Sequence, residues 1–292
     1  MKKGWKIFWI VCASCLGVGI VCCVVSLIMG VTIEGIENRF PNGITLGRGI
    51  GIFMYDDDYE EGNAVAESDD RQSFSGVRSI DIDVWAGEVE IRTLPDTYQE
   101  HHQEHYRQEV IVETQGVSRK MRLQYYMDGD ELKIKTKKKL VGIKNGAGKI
   151  YVYVPQDYLF EEVSLDVGAG TLYVENIRAE EFSVDIGAGE AVIDSFTADE
   201  VDLDCGAGEI TAAGNAVREV DIDCGMGEIT FTASGKQSDY DYKISCGIGQ
   251  VVCGDMSCSG IGSERKVSNG TFREMNVDCG VGEVTIHFSE GI

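Results

Sequence analysis

Residues 201–211 read VDLDCGAGEIT and residues 220–230 read VDIDCGMGEIT. Val201, Leu203 and Cys205 alternate with Asp202 and Asp204, which is the period-two pattern of a strand with one face buried. Past the glycines the next apolar residue is Ile210, an even-numbered position, so the alternation changes phase at Gly206–Ala207–Gly208. A corner or bulge produces such a change, and glycine suits it because it reaches backbone angles closed to other residues. The phrase recurs with its first glycine at Gly146, Gly168, Gly187, Gly206, Gly225, Gly247 and Gly280, separated by 22, 19, 19, 19, 22 and 33 residues. An earlier unit lies at Trp85–Gly87. A period near twenty with two short strands per unit indicates a solenoid.

The spacing predicts an all-β parallel β-helix, a β-solenoid with coils of about 19–22 residues over residues 76–292, with longer intervals holding insertions. The leucine ladder of leucine-rich repeats is missing, and propeller blades are about twice as long. Stacked coils bring the glycines into files as structural corners: Gly168, Gly187, Gly206, Gly225, Gly247 and Gly280 in one, and Gly170, Gly189, Gly208, Gly227, Gly249 and Gly282 in the next. A phosphate-binding reading fails. No unit reads G-x-G-x-x-G, no G-K-[ST] follows, and the glycines lead into a strand instead of a helix.

Stacking also predicts outward acidic columns. One holds Asp166, Asp185, Asp204, Asp223 and Asp278, interrupted by Ser245; a second holds Glu190, Glu209, Glu228 and Glu283. Like charges at strand spacing repel, so water, salt, twist or a cation must relieve them. A solvated acidic face is the leading reading. Calcium on Asp185, Asp204, Asp223, Glu190, Glu209 and Glu228 is the alternative, although neither the calcium-binding nonapeptide nor EF-hand order is present. Cys205, Cys224, Cys246 and Cys279 take the inward position that Val167 and Ile186 hold elsewhere, which makes them a buried ladder; a Cys205–Cys224 disulfide and a Cys253–Cys258 loop staple are the alternatives.

The chain has 292 residues, a net charge of -23 and only 3 prolines against 36 glycines. Such a surface repels nucleic acid and anionic lipid and attracts cationic peptides or basic protein patches. Residues 7–33 carry no charge and follow MKKGWK, so they predict one transmembrane helix with a cytoplasmic N-terminus and the bulk of the chain outside the cell. Residues 34–75 are acidic and poor in aliphatics, which predicts a flexible linker. His101, His102 and His105 cluster in EHHQEH and are read as a solvated loop, with a transition-metal site as the alternative. No nucleophile–base–acid set is evident, and no cofactor motif.

The stretches FSGVRSIDIDVWAGEVEI (74–91) and KIYVYVPQDYLFEEVSLDVGAGTLYVENI (149–177), followed by the G-x-G units, resemble the putative-adhesin domain of unknown function found in membrane-anchored Gram-positive envelope proteins, including LiaG-like ones. The resemblance covers about residues 74–292. It implies a single-stranded β-helix at the cell surface with adhesion or envelope-stress roles, and it offers no catalytic residues. The expected function is a non-enzymatic surface module that binds an envelope protein, a cationic peptide or a glycan. A carbohydrate-active enzyme on the same scaffold is the alternative, as is an accessory to an envelope sensor. Trp85 is the one tryptophan outside the anchor region, which is poor material for sugar stacking.

Overall fold

Apolar residues on alternate positions, interrupted by Gly-x-Gly, build long strands that bend and continue. The computed structural model describes residues 66, 69–94, 109–118, 121–136 and 148–289, all within one unit, Asp58–Ile292. Their strands are β1 (Asp70–Ser75), β2 (Ser79–Thr93), β3 (Glu109–Gln115), β4 (Gln124–Asp128), β5 (Glu131–Lys135), β6 (Lys149–Val154), β7 (Phe160–Val174) and β8 (Ile177–Cys205). There follow β9 (Glu209–Cys224), β10 (Glu228–Ser234), β11 (Asp241–Cys246), β12 (Gln250–Cys253), β13 (Met256–Ser259), β14 (Ser263–Val267), β15 (Glu274–Cys279) and β16 (Glu283–Ser289). All sixteen belong to one sheet, and its winding is solenoid-like.

Parallel pairing repeats at the period of the sequence. Asp166 faces Asp185 and Val167 faces Ile186 between β7 and β8; Asp204 faces Asp223 and Cys205 faces Cys224 between β8 and β9. Strand β9 shows the alternation directly, with Ile210, Ala212, Gly214, Ala216, Val220, Ile222 and Cys224 buried and Glu209, Thr211 and Asp223 exposed. Its inward residues join one continuous core running from Val77 to Ile286. The middle of that core holds an aromatic row: Phe182, Phe196 and Phe231 have ring centroids 5.4 and 5.9 Å apart in succession. Gly214, opposite Phe196, makes room for that ring, since a Cβ there would lie 2.5 Å from it.

The rungs do not stack in sequence order. At one end β2 lies between β7 and the β5/β6 rung, so the first coil is internal. At the other end the last coil, β15/β16, lies between β9/β10 and β11/β12. The glycine file therefore runs Gly225–Gly280–Gly247, each ideal Cβ falling within 2.8 Å of the carbonyl beneath. The reason lies in the outermost rungs. Antiparallel strands cap them: β3 and β4 cover β6 and β5, while β13 and β14 cover β12 and β11. The residues in the longer intervals build these caps, and the terminal coils fill the rungs inside them. The polar edge strands β1 (DRQSFS) and β14 (SERKV) discourage further strand addition.

This order moves Ser245. It does not interrupt the aspartate column but ends it, beside Asp278. Strand β1 lies within the 34–75 stretch expected to be flexible. It pairs antiparallel with β3 over Asp70–Ser75, because an edge strand needs backbone partners more than an apolar face. The described residues contain no helix long and apolar enough to cross a membrane. The apolar run 7–33, most of the acidic stretch, the EHHQEH cluster and Gly146 lie outside the described residues.

Candidate functional site

The outward positions leading into the Gly-x-Gly corner form three parallel columns. The column nearest the corner is Asp83–Asp166–Asp185–Asp204–Asp223–Asp278–Ser245. Two residues back runs Asp81–Ser164–Ser183–Asp202–Asp221–Asn276–Lys243, and beyond it Ser79–Glu162–Glu181–Glu200–Glu219–Glu274–Asp241. Basic residues bracket this face at its ends. Lys133 and Lys135 of β5 stand opposite Asp81 and Asp83, with the Lys135 ammonium 2.5 Å from Asp81; Lys243 of β11 closes the far end beside Lys266. Between these ends the three columns carry no basic residue. Arg218, outside them, reaches Glu200 at 3.0 Å.

Sequence reading anticipated the first column. It did not assign Asp202 and Asp221 to a second, although the D-x-D spacing in VDLD and VDID carried that signal. The Glu190–Glu209–Glu228–Glu283 column forms as expected, on the other side of the corner.

A shallow groove of about 590 Å³ follows the corner. Asp185, Asp204, Asp223 and Asp278 form one wall, and Gly206, Gly225, Gly280 and Gly247 lie along its floor. No member of the Glu190 column lines it, so the six residues considered for calcium divide between two separate columns. Among the described residues no group of three or more His, Cys, Asp or Glu side chains is placed to hold a metal ion.

The electrostatics follow from crowding. Burial, then the charges of Asp202, Asp223, Asp185 and Asp221, pushes the Asp204 carboxyl up to about 7. Burial and the neighbouring Asp221, Asp223 and Asp185 raise Asp202; burial, Asp278 and Asp221 raise Asp223. Glu162 and Glu219 in the outer column move the same way, burial first and neighbouring acids next. The face is thus a set of carboxylates that repel one another while partly shielded from water.

Behind the groove lies the thiol ladder, in the order Cys205–Cys224–Cys279–Cys246. All four are buried and free, as are Cys253 and Cys258. The loop staple is not formed: Cys253 stands opposite Met256 and Cys258 opposite Val251, so the two sit in different cross-strand pairs. Burial raises the Cys205 and Cys279 thiols and pushes Cys224 up to about 12, which keeps them protonated and unreactive. They act as small apolar side chains. The second glycine of the next rung accommodates each sulfur, since a Cβ on Gly227 would lie 2.6 Å from Cys205 Sγ and one on Gly282 2.6 Å from Cys224 Sγ. Replacing Cys205 by valine, the residue type at 167, is expected to change stability by less than about 1 kcal/mol in denaturant unfolding. A larger loss would mean that the thiol itself matters.

No curated protein matches the chain. Among solved structures it is similar to a putative cell adhesion protein from Clostridium sporogenes, at 15% identity and a TM-score of 0.33, covering 76% of this chain and 100% of that one. It is also similar to putative adhesins from Bacteroides fragilis (12% identity, TM-score 0.32, 77% and 100% covered) and Parabacteroides distasonis (13%, 0.32, 76% and 99%). The Toastrack DUF4097 family matches residues 77–289, the span of the solenoid-like winding from the core residue Val77 to the end of β16, and the chain belongs to that family.

Proposed function

We propose that this protein is a non-enzymatic, adhesin-like module of the cell envelope whose three-column acidic face binds a cationic partner. In this reading residues 7–33 anchor the chain in the membrane with the N-terminus inside, and the domain stands outside the cell as a parallel β-helix. The observation that carries the binding role is the register that stacks acidic side chains into three adjacent columns with no basic residue between their ends. A carboxylate array of this kind is destabilised by its own charge until a cation reaches it, so the energy of relieving repulsion is available for binding. A rigid row of rungs suits broad, repeated contact better than catalysis, which requires convergent groups of different kinds.

The probe is an oligolysine peptide, titrated into the full-length protein by fluorescence anisotropy. Binding should weaken about tenfold between low and moderately high salt, because the groove-wall charges are exposed enough to be screened. Asn at Asp202, Asp204, Asp221 and Asp223 together should weaken it similarly. Calcium added in a parallel titration reports whether a divalent ion competes for the same carboxylates. Salt-insensitive binding of a neutral glycan, with no response to oligolysine, would sink the electrostatic reading.

A further inference from the structure

The residue at the middle of the corner is exposed from the Ala169 rung onward, whereas Ala86 of the first coil is partly buried against the core. In the earlier rungs it is alanine: Ala169, Ala188 and Ala207. In the next three rungs it becomes Met226, Val281 and Ile248, exposed by 70, 58 and 69%. Backbone hydrogen bonds tie these corners together from rung to rung. Met226 N donates to Gly206 O at 2.8 Å, Val281 N to Gly225 O at 2.8 Å, and Ile248 N to Gly280 O at 2.7 Å. The file continues into the cap, where Gly262 N donates to Gly247 O at 2.8 Å and the preceding Ile261 is 91% exposed. The inverted rung order sets the order of the ridge, placing Val281 between Met226 and Ile248 and Ile248 beside the cap. In the sequence Met226, Ile248 and Val281 are scattered, while in the fold they are adjacent. Single exposed apolar residues are ordinary, but a contiguous file of them marks a contact surface.

Acids flank the Met226 and Val281 corners on both sides, with Asp223 and Asp278 leading in and Glu228 and Glu283 leading out, while Ser245 and Gln250 take those positions beside Ile248. We infer that this ridge docks an amphipathic helix of a partner whose apolar stripe carries lysine or arginine along both borders. The inference rests on the cation-binding reading of the acidic face and adds the apolar half of the partner. Spacing selects a helix. Rungs rise about 4.8 Å, close to the roughly 5.4 Å between successive turns, whereas alternate residues of an extended strand lie about 6.8 Å apart. A second copy of this chain is disfavoured, because it would bring the same acidic borders against these.

The experiment uses the full-length protein in a neutral detergent, with detergent alone subtracted, and two labelled peptides of the same leucine–lysine composition. One concentrates leucine on a single helical face; the other is scrambled. The facially amphipathic peptide should bind at least about tenfold tighter, and the triple substitution Met226→Ala, Val281→Ala and Ile248→Ala should abolish that preference. Alanine already occupies this corner in three rungs, so the variant should keep its circular dichroism and melting temperature. A preference that survives the triple substitution overturns the inference. Equal binding of both peptides, lost on Asn substitution of Asp204, Asp223 and Asp278, overturns the ridge while leaving the acidic-face reading standing. If neither peptide binds, both readings fall. A concentration-dependent dimer abolished by the triple substitution would assign the ridge to a second copy and overturn the helix.

Discussion

Substituting alanine for Gly189 should cost about 3–4 kcal/mol and lower the melting temperature by about 10 °C, more than most single changes in this protein. An ideal Cβ at Gly189 would lie 2.0 Å from Gly170 O and 2.9 Å from Gly170 N. Both atoms are backbone, so relief requires separating two rungs. That separation weakens the pairing of Glu190 with Thr171 and Ala191 with Leu172 just beyond the corner. A close approach of chain to chain, more than any unusual dihedral, is what demands glycine here. The neighbouring Ala188→Ser change supplies the contrast. Ala188 is exposed on the outside of the same corner, and its substitution should stay within about 0.5 kcal/mol. Chemical denaturation of both variants checks the pair. If Gly189→Ala were as mild as Ala188→Ser, the glycine files would not be packing contacts.

The same contact explains why so much of the architecture could be read from VDLDCGAGEIT. Period-two alternation assigns Leu203 and Cys205 inward and Asp202 and Asp204 outward, and recurrence at nineteen residues stacks like upon like. The order of the rungs was not legible. A spacing of 22 or 33 residues reports how much chain lies between corners, but not whether the next corner lands above or below the last. That outcome depends on the β12–β13 hairpin and the β11–β14 pair that encloses it, whose connections use positive-φ glycines at Gly254, Gly260 and Gly262. Ser245 consequently closes a column that it was expected to break, and the exposed corner residues run Met226–Val281–Ile248 instead of in sequence order. Strand β1 escaped notice for a different reason. DRQSFS carries Phe74 as its one large apolar side chain, and polar contacts to distant residues, Arg71 with Glu113 and Ser73 with Glu109, fasten it to β3 where no local period announces them. The acidic columns were legible as composition, whereas their strength depends on burial and on the D-x-D doubling that crowds Asp204 from two directions.

Lowering the pH from 8 to 5 should make this protein more stable, the reverse of ordinary acid behaviour. A carboxyl raised in the folded state binds its proton more tightly there than in the unfolded chain. Its contribution is therefore most favourable below the unfolded value and is lost as pH rises through the folded one. For Asp204 that window runs from the ordinary aspartate value of 3.8 to about 7. The full shift corresponds to about 4 kcal/mol at about 1.4 kcal/mol per unit, and solvent screening in the open groove reduces it to about 1–2 kcal/mol. Asp202 and Asp223 shift in the same direction, being more exposed and contributing less. The sum should appear as a melting temperature about 5 °C higher at pH 5 than at pH 8. Asp241 acts oppositely. The Ser268 hydroxyl and the backbone amides of Asn269, Gly270 and Thr271 donate to its carboxylate and hold it below its ordinary range, so its contribution is lost only at lower pH than this window. The buried thiols titrate above the window and leave the slope unchanged. Asn at Asp202, Asp204 and Asp223 should raise the pH 8 melting temperature and flatten the profile; a profile that falls toward pH 5, or one that the three substitutions leave unaltered, would remove the strained carboxylates as an energetic feature. Protons and cations relieve the same repulsion, so oligolysine should stabilise the native protein strongly at pH 8 and weakly at pH 5. That convergence ties the stability profile to the binding face: the charge that weakens the empty domain is the charge that a basic partner would neutralise.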